Sequence, residues 1–173
     1  MKKFMLALLL LVFSFDFVVK FPGAVFAGPA EDVRVAMERP KSEAATLGTP
    51  SLKGEEAVAG KTVPALYFGG TKMNNNFGLV DEVQKEMGGT ATIFVKSGDE
   101  FVRVATNVKK DDGSRAIGTV LDPKGKAIAA IAKGESFFGE VDILGKPYIT
   151  GYEPIRDASN GIIGVYYVGY LKK

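Results

Sequence analysis

Arg103 lies close in sequence to Thr106 and Asn107, and Arg115 follows across the charged turn Lys109–Gly113. A guanidinium presents a rigid fork of donors that matches a carboxylate in bidentate fashion. An organic acid held between a sheet face and a loop needs such a group, together with hydroxyl donors. The segment Tyr148-Ile149-Thr150-Gly151-Tyr152 supplies these, because residues two apart on a strand share a face. Tyr148, Thr150 and Tyr152 therefore join Arg103, Thr106, Asn107 and Arg115 as candidate ligand contacts. Each also has a plainer reading. Arg103 pairs with a carboxylate of a neighbouring strand, Arg115 bonds to Asp111, Asp112 or loop carbonyls, and the tyrosines are cross-strand packing partners.

This chemistry holds a molecule and does not transform one. The chain has no histidine and no cysteine, so the commonest general base and the thiolate nucleophile are both missing. No serine stands in a GxSxG elbow or an SxxK motif, although Ser-Lys or paired-carboxylate catalysis stays open as a third alternative. Transition metals lose their commonest ligands. Asp111-Asp112-Gly113 and Asp157 to Gly161 lack the alternating oxygens and closing Glu of a calcium loop, and read as turns. The expectation is a non-enzyme with neither cofactor nor metal.

Met1 to Ala27 reads as a secretory signal peptide, with Lys2 and Lys3 ahead of an apolar run and Val25-Phe26-Ala27 as the cleavage site. Asp16 and Lys20 interrupt the run and argue against a membrane span, with an uncleaved anchor as the alternative. Without that leader the 22 basic and 20 acidic residues become 19 of each. A neutral domain with no basic stripe excludes nucleic acid as a partner. Periplasmic or secreted localisation is expected, with no disulfides in the domain.

The elements that must position these residues follow from the pattern. Residues 28–61 read as a lead-in of two short helical pieces broken at Pro40 and ending in a loop near Gly48 to Gly60. The domain proper is expected over 62–173. Val63 to Phe68 is a strand, Asn74 to Asn76 a turn, and Leu79, Val80, Val83 and Met87 one face of a helix stopped by Gly88-Gly89. Asp81, Glu82 and Glu86 fall on its solvated face. Thr90 to Lys96 and Glu100 to Val108 form a hairpin. Strict alternation in its second strand puts Val102, Val104 and Val108 on one face, and Phe101, Arg103, Ala105 and Asn107 on the other. A helix starts at Asp122-Pro123, and strands run near Gly139–Leu144, Pro147–Ile155 and Gly161–Leu171. The last is apolar on both faces, as a central strand is. The fold class is α+β, with five or six antiparallel strands and flanking helices.

Three blocks in order, VDEVQKEMGGTATIFVK, FVRVATNVKKDDGSRAIGT and GKPYITGYEPIRDASNGIIGVYYVGY, resemble single Cache sensor domains of the Cache 3/Cache 2 fusion type. These are extracytoplasmic input modules of bacterial chemoreceptors and sensor kinases. The similarity runs from about Val63 to Gly169. It implies a PAS-like central sheet, a long N-terminal helix, a pocket over one sheet face, and a leading role for Arg103, Tyr148 and Tyr152. The chain departs from that pattern at Pro40 and Pro50, which would break the helix, and at Phe137, where a tyrosine is common. It also carries no second span, HAMP module or kinase. The expected function is sensing a small carboxylate-like metabolite, with signalling through a separate membrane receptor or sensor kinase. The alternative is a ligand-free module that docks on such a receptor. An open pocket beside Arg103 favours the first, and one plugged by Phe137, Phe138 or Tyr170 the second.

Overall fold

A computed structural model describes residues 29–172; the expected leader lies outside them. Helix α1 spans Pro29–Leu47. A three-stranded sheet follows, β1 (Pro50–Val58), β2 (Lys61–Phe68) and β3 (Thr71–Lys72), in the order β1-β2-β3. After α2 (Gly78–Met87) come β4 (Thr90–Ser97), β5 (Glu100–Thr106), α3 (Lys126–Ala132), β6 (Phe137–Ile143), β7 (Lys146–Arg156) and β8 (Ile162–Leu171). These last strands form a five-stranded antiparallel sheet in the order β5-β4-β8-β7-β6. The architecture is the α+β one that the strand pattern predicts, with the PAS-like sheet that the family resemblance implies.

Two apolar cores sandwich the larger sheet. On one face Val33 and Met37 of α1, Val80 and Val83 of α2, and Leu66 and Phe68 of β2 pack on Ile93, Val104 and Val168. On the other, Ala127 and Ile131 of α3 and Val108 and Leu121 of the long β5–α3 connection pack on Phe94, Tyr152, Val165 and Tyr167. β8 is buried on both faces between β4 and β7, as its sequence predicts.

Pro40 does not end the first helix. It sits inside α1 and is itself buried. A proline forfeits one backbone bond to the residue four earlier, but Val33, Ala36, Met37 and Ala44 continue one buried stripe on either side of it. Burial of such a stripe at roughly 1.5–3 kcal/mol per large side chain exceeds the local penalty of about 3 kcal/mol. Ion pairs also hold the helix, from Arg39 to Glu86 of α2 and from Lys41 to Glu153 of β7. Nor is Gly48–Gly60 a loop, since Pro50 opens β1. That strand is largely exposed and rich in Lys, Gly and Glu, so it shows little apolar alternation, and its pairing with β2 defines it. The third helix begins at Lys126, later than Asp122-Pro123. Asp122 makes the preceding turn, its Oδ1 accepting the Lys124 N–H at 2.9 Å and its carbonyl the Gly125 N–H at 3.1 Å.

Candidate functional site: the Arg103 cavity

A bulge decides what Arg103 faces. β4 and β5 pair Ile93 with Ala105 but Phe94 with Arg103, so Val104 has no counterpart and the alternation slips by one residue. The strict alternation expected for this strand is therefore wrong. Phe101 joins the α3-side core, whereas Ala105 joins the α1-side core. Arg103 and Asn107 point to opposite faces, Arg103 lying over the ring of Phe94, 5.1 Å from its centroid.

The segment after β5 folds back along its edge and closes over Arg103. Its backbone bonds run from Arg103 N to Thr119 O, Gly118 N to Arg103 O and Leu121 N to Phe101 O, each 2.9 Å. Thr119 Oγ1 donates to the Ala116 carbonyl at 2.8 Å and accepts from Arg103 Nη1 at 2.6 Å. Arg103 is 5 % exposed, and its Nε is buried with no partner. Among the described residues no carboxylate pairs with it. Burial holds the guanidinium below its ordinary range, and the hydroxyls of Tyr152 and Tyr167 partly offset this. An unpaired, buried cation costs several kcal/mol, and an anion beside it would offset that cost.

A cavity of about 230 Å³ opens beside it, lined by Arg103, Val120, Leu121, Gly125, Ala127, Val141, Ile143, Leu144 and Tyr152, with Asp122, Lys126 and Asp142. Phe137, Phe138 and Tyr170 do not plug it. Phe137 packs beside Tyr152 at 6.2 Å between ring centroids, Phe138 lies under Arg34 of α1, and the Tyr170 hydroxyl donates to the Met87 carbonyl. The volume is below the roughly 300–1,000 Å³ of sites for drug-sized ligands. A shallower groove of about 620 Å³ between Thr49–Lys53 and Asp157–Ser159 is larger, but no buried charged side chain lines it.

Tyr152 shares the cavity wall. Burial pushes its hydroxyl up to about 12, with Arg103 pulling the other way, so it stays a proton donor. Its ring lies 5.0 Å from that of Tyr167, whose hydroxyl, 2.9 Å from Thr90 Oγ1, is also pushed well up by burial. Burial raises Tyr166 too. A tyrosine raised in the fold is protonated there while its unfolded counterpart ionises, so its stabilisation is complete below pH 10 and lost as pH rises through the folded value. Unfolding free energy should therefore fall from about pH 10 to 12, at up to roughly 1.4 kcal/mol per pH unit per tyrosine. Tyr152→Phe should flatten that slope, and denaturant titrations at pH 9 to 12 will measure it.

The other predicted residues are placed apart from the cavity. Tyr148 packs in the α3-side core without lining it. Thr150 is buried, and its hydroxyl donates to the Gly139 carbonyl at 2.8 Å. Thr106 shares a 2.6 Å hydroxyl bond with Thr92. Asn107 bridges β4 and α2, its Oδ1 accepting the Ala91 N–H and its Nδ2 donating to the Val80 carbonyl. Arg115 does not turn to Asp111 or Asp112. It forms a bidentate pair with Asp81 of α2 at 2.7 and 2.8 Å, donates to the Thr106 carbonyl, and stacks on Phe77. Asp81 is thus a tether and not only part of a solvated face. Sequence reasoning passed over Thr119, Asp122, Lys126 and Asp142. Only the hydroxyl at Thr119 offered a signal, and nothing local to it says that the loop returns to Arg103.

Among the described residues no helix is long and apolar enough to cross a membrane, and no group of three metal-ligating side chains gathers. No curated protein matches the chain. A family model, the Cache 3/Cache 2 fusion domain, matches residues 45–173, from the end of α1 through the whole of both sheets. Members of that family are extracellular sensor modules, not enzymes. With well over half its length matched, the chain belongs to the Cache 3/Cache 2 fusion domain family.

Proposed function

We propose that the protein is an exported sensor domain that binds a short carboxylate in the Arg103 cavity. One observation carries the reading: a buried guanidinium with no carboxylate partner lines an unplugged cavity. The incoming carboxylate takes the open side of the Arg103 fork, Tyr152 donates its hydroxyl, and Thr119 holds the guanidinium in place. Val120 and Leu121 contribute to the wall from the segment that folds along β5. Occupancy favours one arrangement of that segment, and a separate membrane receptor or sensor kinase that prefers this arrangement receives the signal.

The test is the melting temperature of the purified chain against a panel of small carboxylates, amino acids, amines and purines. A ligand at a hundred times its Kd adds about 2.7 kcal/mol, a rise of roughly 5 to 10 °C for a domain of this size. A rise confined to carboxylate-bearing compounds supports the reading. A rise with amines or purines alone removes Arg103 as the anchor, and a flat panel points to a docking module.

A further inference from the structure

The Arg103 cavity carries one buried charge and three exposed ones on its wall. Arg103 is more than nine-tenths buried, and its Nε has no partner. The remaining charges on the wall are Asp122, Asp142 and Lys126, all exposed. None of these three forms an ion pair among the described residues.

The two carboxylates are fixed. Asp122 Oδ1 accepts the Lys124 N–H at 2.9 Å, and Asp142 Oδ1 accepts the Gly145 N–H at 2.8 Å. The second oxygen of each accepts no hydrogen bond from the described residues. Lys126, by contrast, is a point charge on a flexible four-carbon stem, and its Nζ bonds to nothing among them. The mouth is therefore net negative, with its negative charges held still and its positive one free to swing into solvent. A dicarboxylate anchored on Arg103 would press its second carboxylate toward both aspartates. A plain monocarboxylate would bring an apolar tail against two carboxylate oxygens that then lose water without gaining a partner. A molecule with an ammonium a few bonds from its carboxylate meets neither cost.

We propose that the cavity takes a short zwitterion, a small amino acid, with its carboxylate on Arg103 and its ammonium between Asp122 and Asp142. This rests on the reading of the cavity as a carboxylate site and narrows it. The aspartates are specificity-determining residues that rank ligands as amino acid, then monocarboxylate, then dicarboxylate.

Matched series separate this from the broader reading. Binding to the full chain is measured by calorimetry for glycine, alanine, β-alanine and 4-aminobutyrate, for acetate, propionate and butyrate, and for malonate and succinate. An amino acid should bind roughly tenfold tighter than its deaminated counterpart, as two partly solvated ion pairs allow. Asp142→Asn and Asp122→Asn should each weaken the amino acids by roughly two- to fivefold, leave monocarboxylates unchanged or tighter, and improve dicarboxylates. Both side chains are exposed, so an unchanged melting temperature without ligand will show that the variants fold. If monocarboxylates bind as tightly as their amino counterparts and Arg103→Met abolishes both, the zwitterion is overturned and the carboxylate site stands. An amino-acid preference that survives both Asp→Asn changes overturns the aspartates' role. Silence across all three series overturns this inference and the broader reading together.

Discussion

Arg103→Met should abolish the ligand response while leaving the melting temperature of the ligand-free protein within a few degrees of the parent. The two outcomes have one cause. Methionine keeps most of the apolar stem and removes the charge. What the fold loses is a charge-assisted bond to Thr119, worth about 1.5–3 kcal/mol, and a cation–π contact with Phe94 of about 0.5–2 kcal/mol. Thr119 keeps its own bond to the Ala116 carbonyl, so no new orphan is created. What the fold gains is relief from an unpaired buried cation, and replacing buried charge by well-packed apolar groups stabilises by roughly 1–4 kcal/mol. Losses and gain nearly cancel, leaving a net change of about 1 kcal/mol or less, within roughly 3 °C in melting temperature. Affinity for a carboxylate should fall about a hundredfold or more, since truncating one partner of a buried, hydrogen-bonded charge pair costs about 2–5 kcal/mol. Scanning calorimetry with and without ligand reads both quantities. Unchanged affinity would remove Arg103 from the site, and a melting point several degrees lower would make it a structural residue.

Asn107→Ala should do the reverse, destabilising the fold by about 3 kcal/mol while leaving ligand affinity in the surviving folded fraction unchanged. Asn107 is 2 % exposed and links the Ala91 N–H of β4 to the Val80 carbonyl of α2. The Val80 carbonyl retains its helical acceptor role, but the Ala91 N–H is left buried, at about 1–3 kcal/mol for an unsatisfied donor. The lost bond from Nδ2 and the small void add the rest. Urea unfolding measures the loss, and calorimetry in the absence of urea measures the affinity. A weakened affinity at full folding would return Asn107 to the ligand site.

These opposite expectations for two residues of one short segment show where the sequence is legible. The β4–β5 hairpin, α2 with its Gly88 stop, and the doubly buried β8 all announce themselves, because period-two and helical burial are local properties of side-chain type. Arg103 and Tyr152 entered as candidates through side-chain chemistry and the family resemblance, and both line one cavity. The bulge at Val104 was not, since Val102, Val104 and Ala105 are all small apolar residues acceptable on either face, and only the pairing with Ile93 and Phe94 fixes the slip. Pro40 misled because a local rule was overruled by a buried stripe on either side of it. β1 was hidden because a strand held mainly by backbone pairing to β2 carries little pattern of its own. Thr119 reaches Arg103, and Asp122 and Asp142 reach the cavity, through long-range folding of loops and a strand end, which no spacing rule encodes.

The place of β8 in the sheet has a consequence for the order in which the molecule can be made. β4 with β5, and β6 with β7, are hairpins of neighbours in the chain, but nothing joins one hairpin to the other except β8, the last strand to be synthesised. Until it inserts, β4 and β7 each present an unpaired edge, and both apolar cores lack the strand that lies at their centre. The β7–β8 pairing is local, across residues 157–161, but β4 and β8 are far apart in the chain, and non-local pairing of that kind makes closure slow and late. The β4–β5 hairpin therefore stays apart from the β6–β7–β8 meander until Ile162–Leu171 pairs with β4, and that one pairing sets the central strand of both cores in place.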